Sequence, residues 1–174
     1  QYLSTLNGLD LCNSKYSIKT RSDESFSNFD ALIAELQENK IVTTNIFFGK
    51  DINYKYHPSD HLFFSERLML KDIYKKCISI CENIEKLNVK HVQEKLIAYD
   101  SNKDGIEVKP ESIFGKIACE SILDKEALAK ESVNNMKKCF DIVPLYKLGN
   151  FKFSSNSSGH NKSQPYLKGI SEDW

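Results

Sequence analysis

The apolar spacing between Leu62 and Leu87 constrains the fold more than any other feature of the chain. Leu62, Met69, Ile73, Cys77, Ile80, Ile84 and Leu87 fall on one face of a helix. Phe63, Leu70, Tyr74 and Cys81 form a second stripe beside it, while Phe64 and Leu68 point the other way. With Pro58-Ser59-Asp60 as its opening, this pattern predicts a helix from Pro58 to about Asn88, roughly 45 Å long if unbroken. Its first half is apolar nearly all round. Such a segment is a central core helix, or a helix whose surplus side chains form a docking patch.

The flanking segments fill in a mixed architecture. Ser27 can cap a helix to Asn39, with Phe29, Leu32, Ile33 and Leu36 on one face. The β-branched and aromatic run IVTTNIFFG, closed by Gly49, reads as a strand, and INYKY at residues 52–56 as its hairpin partner. Two further helices are expected at 111–123 and 124–140, the second capped by Asp124, followed by a short extended piece in VPLYKLGNFKF. Residues 1–26 and 89–108 carry no clear period. The expectation is a helix-dominated α+β fold: a long central helix, shorter helices and a small antiparallel sheet from residues 41–56. One globular domain would occupy 1–153, and the polar residues 154–174 would form a mobile tail.

Composition narrows the function classes. The 174 residues are 40% hydrophobic and 28% charged, the balance of an ordinary globular protein. The 24 basic and 24 acidic residues cancel, which argues against a generalised basic footprint for nucleic acid. Basic-aromatic runs such as YKLGNFKF carry only a few charges. No apolar run is long enough for a membrane-spanning helix. The start, QYLSTLNGLDL, lacks the basic residues and apolar stretch of a signal peptide, and Gln1 in place of Met suggests a processed or excised form.

Five cysteines, Cys12, Cys77, Cys81, Cys119 and Cys139, include no C-x-x-C pair. They read as buried free thiols, or as two disulfides with one thiol to spare. Cys77 and Cys81 share a helix face, and this C-x3-C spacing resembles the central pair of insect odorant-binding proteins. That resemblance implies a bridge from each cysteine to a different helix. It covers the local spacing alone, because the Cys12–Cys77 gap is too long for the family and its sixth cysteine is missing. Two sequons, at Asn156 and Asn161, also fit secretion. Compartment is not fixed by these features, with the leaning toward a secreted protein.

Residues 100–111, DSNKDGIEVKPE, satisfy the calcium-loop pattern D-x-[DN]-x-[DN]-G-x5-E. Asp100, Asn102 and Asp104 would supply side-chain oxygens, Ile106 its carbonyl and Glu111 a bidentate carboxylate, with Gly105 making the turn. Val92, Leu96 and Tyr99 sit where an entering EF-hand helix puts its apolar face. Against calcium, Glu107 occupies a position that wants an apolar residue, Pro110 and Ser112 are atypical, and no second loop exists. The alternative is a hairpin turn between LIAY and IEV. Two weaker constellations stand beside it. His57-Pro-Ser-Asp60-His61 offers zinc-type donors, but Pro58 keeps the two histidines off a shared helix face, so further ligands such as His91 would have to come from afar.

Glu66 lies within the apolar stripe, where a carboxylate is either paired or functional. Helix, strand, hairpin strand and the helix carrying FFSERLML together resemble the cytidine-deaminase fold over residues 27–75. The resemblance implies a catalytic role for Glu66, yet Phe64 stands where that family needs a zinc ligand and P-C-x-x-C is absent.

The function expected from these features is that of a small, non-catalytic, effector-type binding protein. It would engage a protein partner or small ligand through Phe63, Phe64 and Leu68, with no cofactor. The alternatives are a calcium-binding protein built on residues 100–111 and a degenerate deaminase-like scaffold centred on Glu66.

Overall fold

The run LFFSE has two ways to bury its apolar side chains, and it takes the extended one. In the computed structural model, which describes residues 1–45, 56–83, 110–150 and 152–153, Leu62–Glu66 is a strand. It sends Phe63 into one core and Leu62 and Phe64 into another. A strand covered on both faces reads as a continuous apolar run, which imitates a helix apolar all round. The expected helix from Pro58 is therefore corrected: it begins only at Arg67.

In chain order the elements are α1 (Tyr2–Leu11), β1 (Tyr16–Thr20), β2 (Glu24–Ser25), α2 (Asp30–Ala34), β3 (Ile41–Thr44), β4 (Leu62–Glu66) and α3 (Arg67–Asn83). After these come α4 (Pro110–Leu123), a 3-10 turn at Ala129–Glu131 and α5 (Ser132–Cys139). β5 (Phe140–Val143), a 3-10 turn at Leu145–Leu148 and β6 (Lys152–Phe153) complete the described chain. The fold is α+β, as the mixed pattern predicts.

Four strands form one sheet in the order β1-β4-β3-β5. β4 is antiparallel to β1, with Ile18 opposite Phe64, and to β3, with Val42 opposite Phe64. β5 lies parallel to β3, pairing Phe140 with Ile41, so the sheet is mixed and not purely antiparallel. β2 and β6 form a separate antiparallel pair. The expected hairpin partner at 52–56 lies outside the described residues except for Tyr56, whose φ of 52° is left-handed.

Helices cover one face of the sheet: Ile41, Phe63 and Phe140 pack with Leu9 of α1, with Leu70, Ile73, Tyr74 and Cys77 of α3, and with α4 and α5. The most enclosed helix is α4. Pro110, whose fixed φ suits a first helical turn, opens it, and every residue from Ser112 to Cys119 is buried. At its centre Phe114 stacks on Phe63 with ring centroids 4.4 Å apart and meets Tyr74 at 5.0 Å. Gly115 lets the helix lie directly on the Tyr56–Pro58 backbone. Tyr56 in turn donates from its hydroxyl to the Leu128 carbonyl at 2.6 Å and accepts from Asn135 at 2.9 Å, tying this layer to α5.

The opposite face carries less. Val42, Leu62, Phe64 and Val143 meet Leu32 of α2 and Leu148 of the second 3-10 turn. Here α2 is much shorter than the expected 27–39: Asn28 accepts the Asp30 amide at 2.7 Å, and Asn39 turns left-handed before β3. Ser27 does not cap it and accepts the Asn150 amide instead, at 2.7 Å. Asp124 likewise ends α4 in a left-handed conformation and does not cap the next helix.

Candidate functional site

The end of β1 and the approach to β4 bring the chain's densest group of described charges together. Thr20 pairs with Leu62, which sets the corner residues Arg21, Asp23 and Glu24 beside Asp60 and His61. Glu24 reaches the His61 Nδ1, and Asp60 Oδ1 stands 3.6 Å from Nε2, so one imidazole lies between two carboxylates. The Arg21 guanidinium grips both oxygens of Asp23 at 3.0 and 3.1 Å, and lies 3.5 Å from Glu24 and 3.6 Å from Asp60. Lys19 donates to the Asp60 carbonyl and lies over the Phe63 ring, 5.6 Å from its centroid. Gln1 donates to Asp60 Oδ2 at 2.9 Å. Glu24 is fully enclosed, and its Oε2 has no hydrogen-bond partner among the described residues.

The electrostatics follow from this packing. Burial lowers the Lys19 pKa, with Asp60 and Glu24 pulling the other way. Burial pushes Asp60 up, but the Gln1 amide and the charges of Lys19, His61 and Arg21 outweigh it and hold the carboxyl below its ordinary 3.8. A depressed carboxyl pKa contributes stability that is present at neutral pH and lost as pH falls through the folded-state value. Asp60→Asn is therefore expected to be less stable than wild type at pH 7, with the gap narrowing below about pH 4 as the wild-type carboxyl protonates. Urea midpoints across that range would measure it, and a gap independent of pH would refute the assignment.

The histidine motif does not gather a set of metal ligands: among the described residues no three His, Cys, Asp or Glu side chains converge on an ion position. His57 turns toward Glu111, 3.9 Å from Nε2 to carboxylate, while His61 goes to Glu24 and Asp60. Glu111 itself stands in the first turn of α4. Asp100, Asn102, Asp104 and Ile106 lie outside the described residues.

Two other expectations are corrected. Phe63 and Phe64 are 2% and 6% exposed, so neither offers surface to a partner; of the expected trio only Leu68, at 66%, does. The cause is the strand conformation, which gives each aromatic ring its own core. Glu66 sits at the end of β4 and not in an apolar helix stripe, with Lys15 3.6 Å away.

No protein-family model, curated protein or solved structure matches this chain. The functional reading therefore rests on residues and geometry. No helix among the described residues is long and apolar enough to cross a membrane.

Sequence reasoning singled out His57, Asp60 and His61 but missed Lys19, Arg21 and Glu24. The polar run TRSDES reads as a loop, and nothing in its own pattern says that β1 ends there beside His61. The alternation in YSIKT, with Tyr16 and Ile18 on one face, was the one available hint of that strand.

Proposed function

We propose that this chain is a non-catalytic binding protein that engages a protein partner through the thinly covered face of its sheet. The observation that carries the reading is the unfinished closure of the second core. Tyr16, Phe26 and Phe29 pack against it yet stay only partly buried, and Ile18 on the edge strand β1 is exposed. The two short elements that cover this face expose Ile33, at 58%, on α2 and Tyr146, at 74%, on the turn after β5. Half-buried aromatic rings beside exposed aliphatic groups are the composition of protein interfaces. The charge cluster, by contrast, directs its contacts inward and reads as the latch between the β1–β2 corner and β4.

Photo-crosslinking tests this. A photoreactive residue placed at 33 or 146 is expected to give a discrete adduct in native host extract, and one placed at Leu3, exposed on α1, to give none. Ile33→Glu combined with Tyr146→Glu should remove the ability of unlabelled protein to compete, without changing its melting temperature. Equal labelling from all three positions, or none from any, would sink the reading.

A further inference from the structure

We propose that Cys119 and Cys139 are a disulfide-forming pair that closes as the chain folds in the presence of a small-molecule disulfide. Both side chains belong to the helix-covered core and are 0% exposed. Cys119 lies on α4, and Cys139 is the last residue of α5, where the backbone turns into β5. Cys119 Sγ is 3.9 Å from Met136 Sδ, and Cys139 stands one helical turn after Met136 on α5, in the same enclosed contact with α4. A disulfide joins elements whose thiols already face one another, and these two do so across a helix–helix contact.

The other cysteines do not offer this. Cys77 and Cys81 are both on α3 at i and i+4, where Cβ atoms stand about 5–6 Å apart, beyond disulfide reach. Cys12 Sγ donates to the Gly8 carbonyl of its own helix, on the exposed side.

One of the two thiolates attacks one sulfur of glutathione disulfide and expels glutathione thiolate, leaving a mixed disulfide. The other thiolate then attacks the protein sulfur of that mixed disulfide, forms the Cys119–Cys139 bond and expels the second glutathione. The two thiol protons end on the two released glutathiones, so one small-molecule disulfide is reduced for each protein disulfide formed. Because both sulfurs are enclosed in the folded state, exchange takes place before α4 and α5 dock.

The test is a peptide map of the full chain refolded with reduced and oxidised glutathione, then denatured, alkylated and cut with trypsin without reduction. Residues 117–125 and 139–147 are separate tryptic peptides with one cysteine each. The expected product is these two joined, splitting on reduction. Dithiothreitol should then lower the melting temperature by about 6–12 °C, the range for a loop of this length in a chain of this size. Cys12→Ser should keep that sensitivity, and Cys119→Ala with Cys139→Ala should lose it. If the double variant does not fold, the map alone decides. Recovery of both peptides singly alkylated, or either one joined to a different cysteine, would overturn the proposal.

Discussion

Gly115→Ala is expected to cost the protein about 3 kcal/mol, a large share of the roughly 5–15 kcal/mol that an ordinary domain has to lose. At a solvent-facing helix position the same change stabilises by up to about 1 kcal/mol, because alanine is the better helix former. Here the sign reverses. A methyl at residue 115 would stand 2.6 Å from Pro58 Cδ and 2.9 Å from the Tyr56 carbonyl carbon, and closer still to the Tyr56 carbonyl oxygen. Those neighbours are backbone and a proline ring, so no rotamer change relieves the contact. Relief requires α4 to lift from the 56–58 segment, which would pull Phe114 off Phe63 and strain the Tyr56 bonds to Leu128 and Asn135. Urea unfolding of the purified variant measures the loss; a midpoint at or above wild type would show that α4 does not lie against that backbone.

Phe114→Ala should be comparable, at about 3–5 kcal/mol. Phe114 is buried where β4, α3 and α4 meet, and truncation leaves Phe63 and Tyr74 each facing a void. Phe114→Leu refills most of the volume and is expected to recover more than half of the loss, although the stacked pair is not restored. A small effect for the alanine variant would mean that the three elements close over the gap.

The contrast between Phe114 and Phe64 explains how much of the fold was legible. Apolar period placed Leu70, Ile73 and Tyr74 on the helix stripes that do face the core, but the same reading sent Phe63 and Phe64 to a partner surface; helix-plus-sheet alternation gave the fold class. Period failed at residues 62–66 because a doubly covered strand has none, and the misplaced helix start carried the partner patch and Glu66 with it. β1 and α1 were unread for a different reason: β1 has only two apolar residues and the leucines of α1 show no clear period, so pairing with β4 and α3 supplies what local pattern does not. The charge cluster was half legible. Asp60 and His61 are adjacent in sequence and conspicuous, whereas Glu24 and Arg21 become their neighbours only when β1 and β4 pair. No local rule predicts that register.

The parallel pairing of β3 with β5 has a consequence for synthesis. Lys40 and Asp141, ion-paired at 2.8 Å across this seam, are 101 positions apart. A ribosome adding about 5–20 residues per second therefore completes the partner strand roughly 5–20 s after β3 is made. Throughout that interval the Ile41–Thr44 edge carries unpaired amides and carbonyls beside apolar side chains, the condition under which strands of different chains join. The nascent protein is expected to depend on a holding chaperone until Phe140–Val143 emerges, and heterologous expression without one to favour insoluble product.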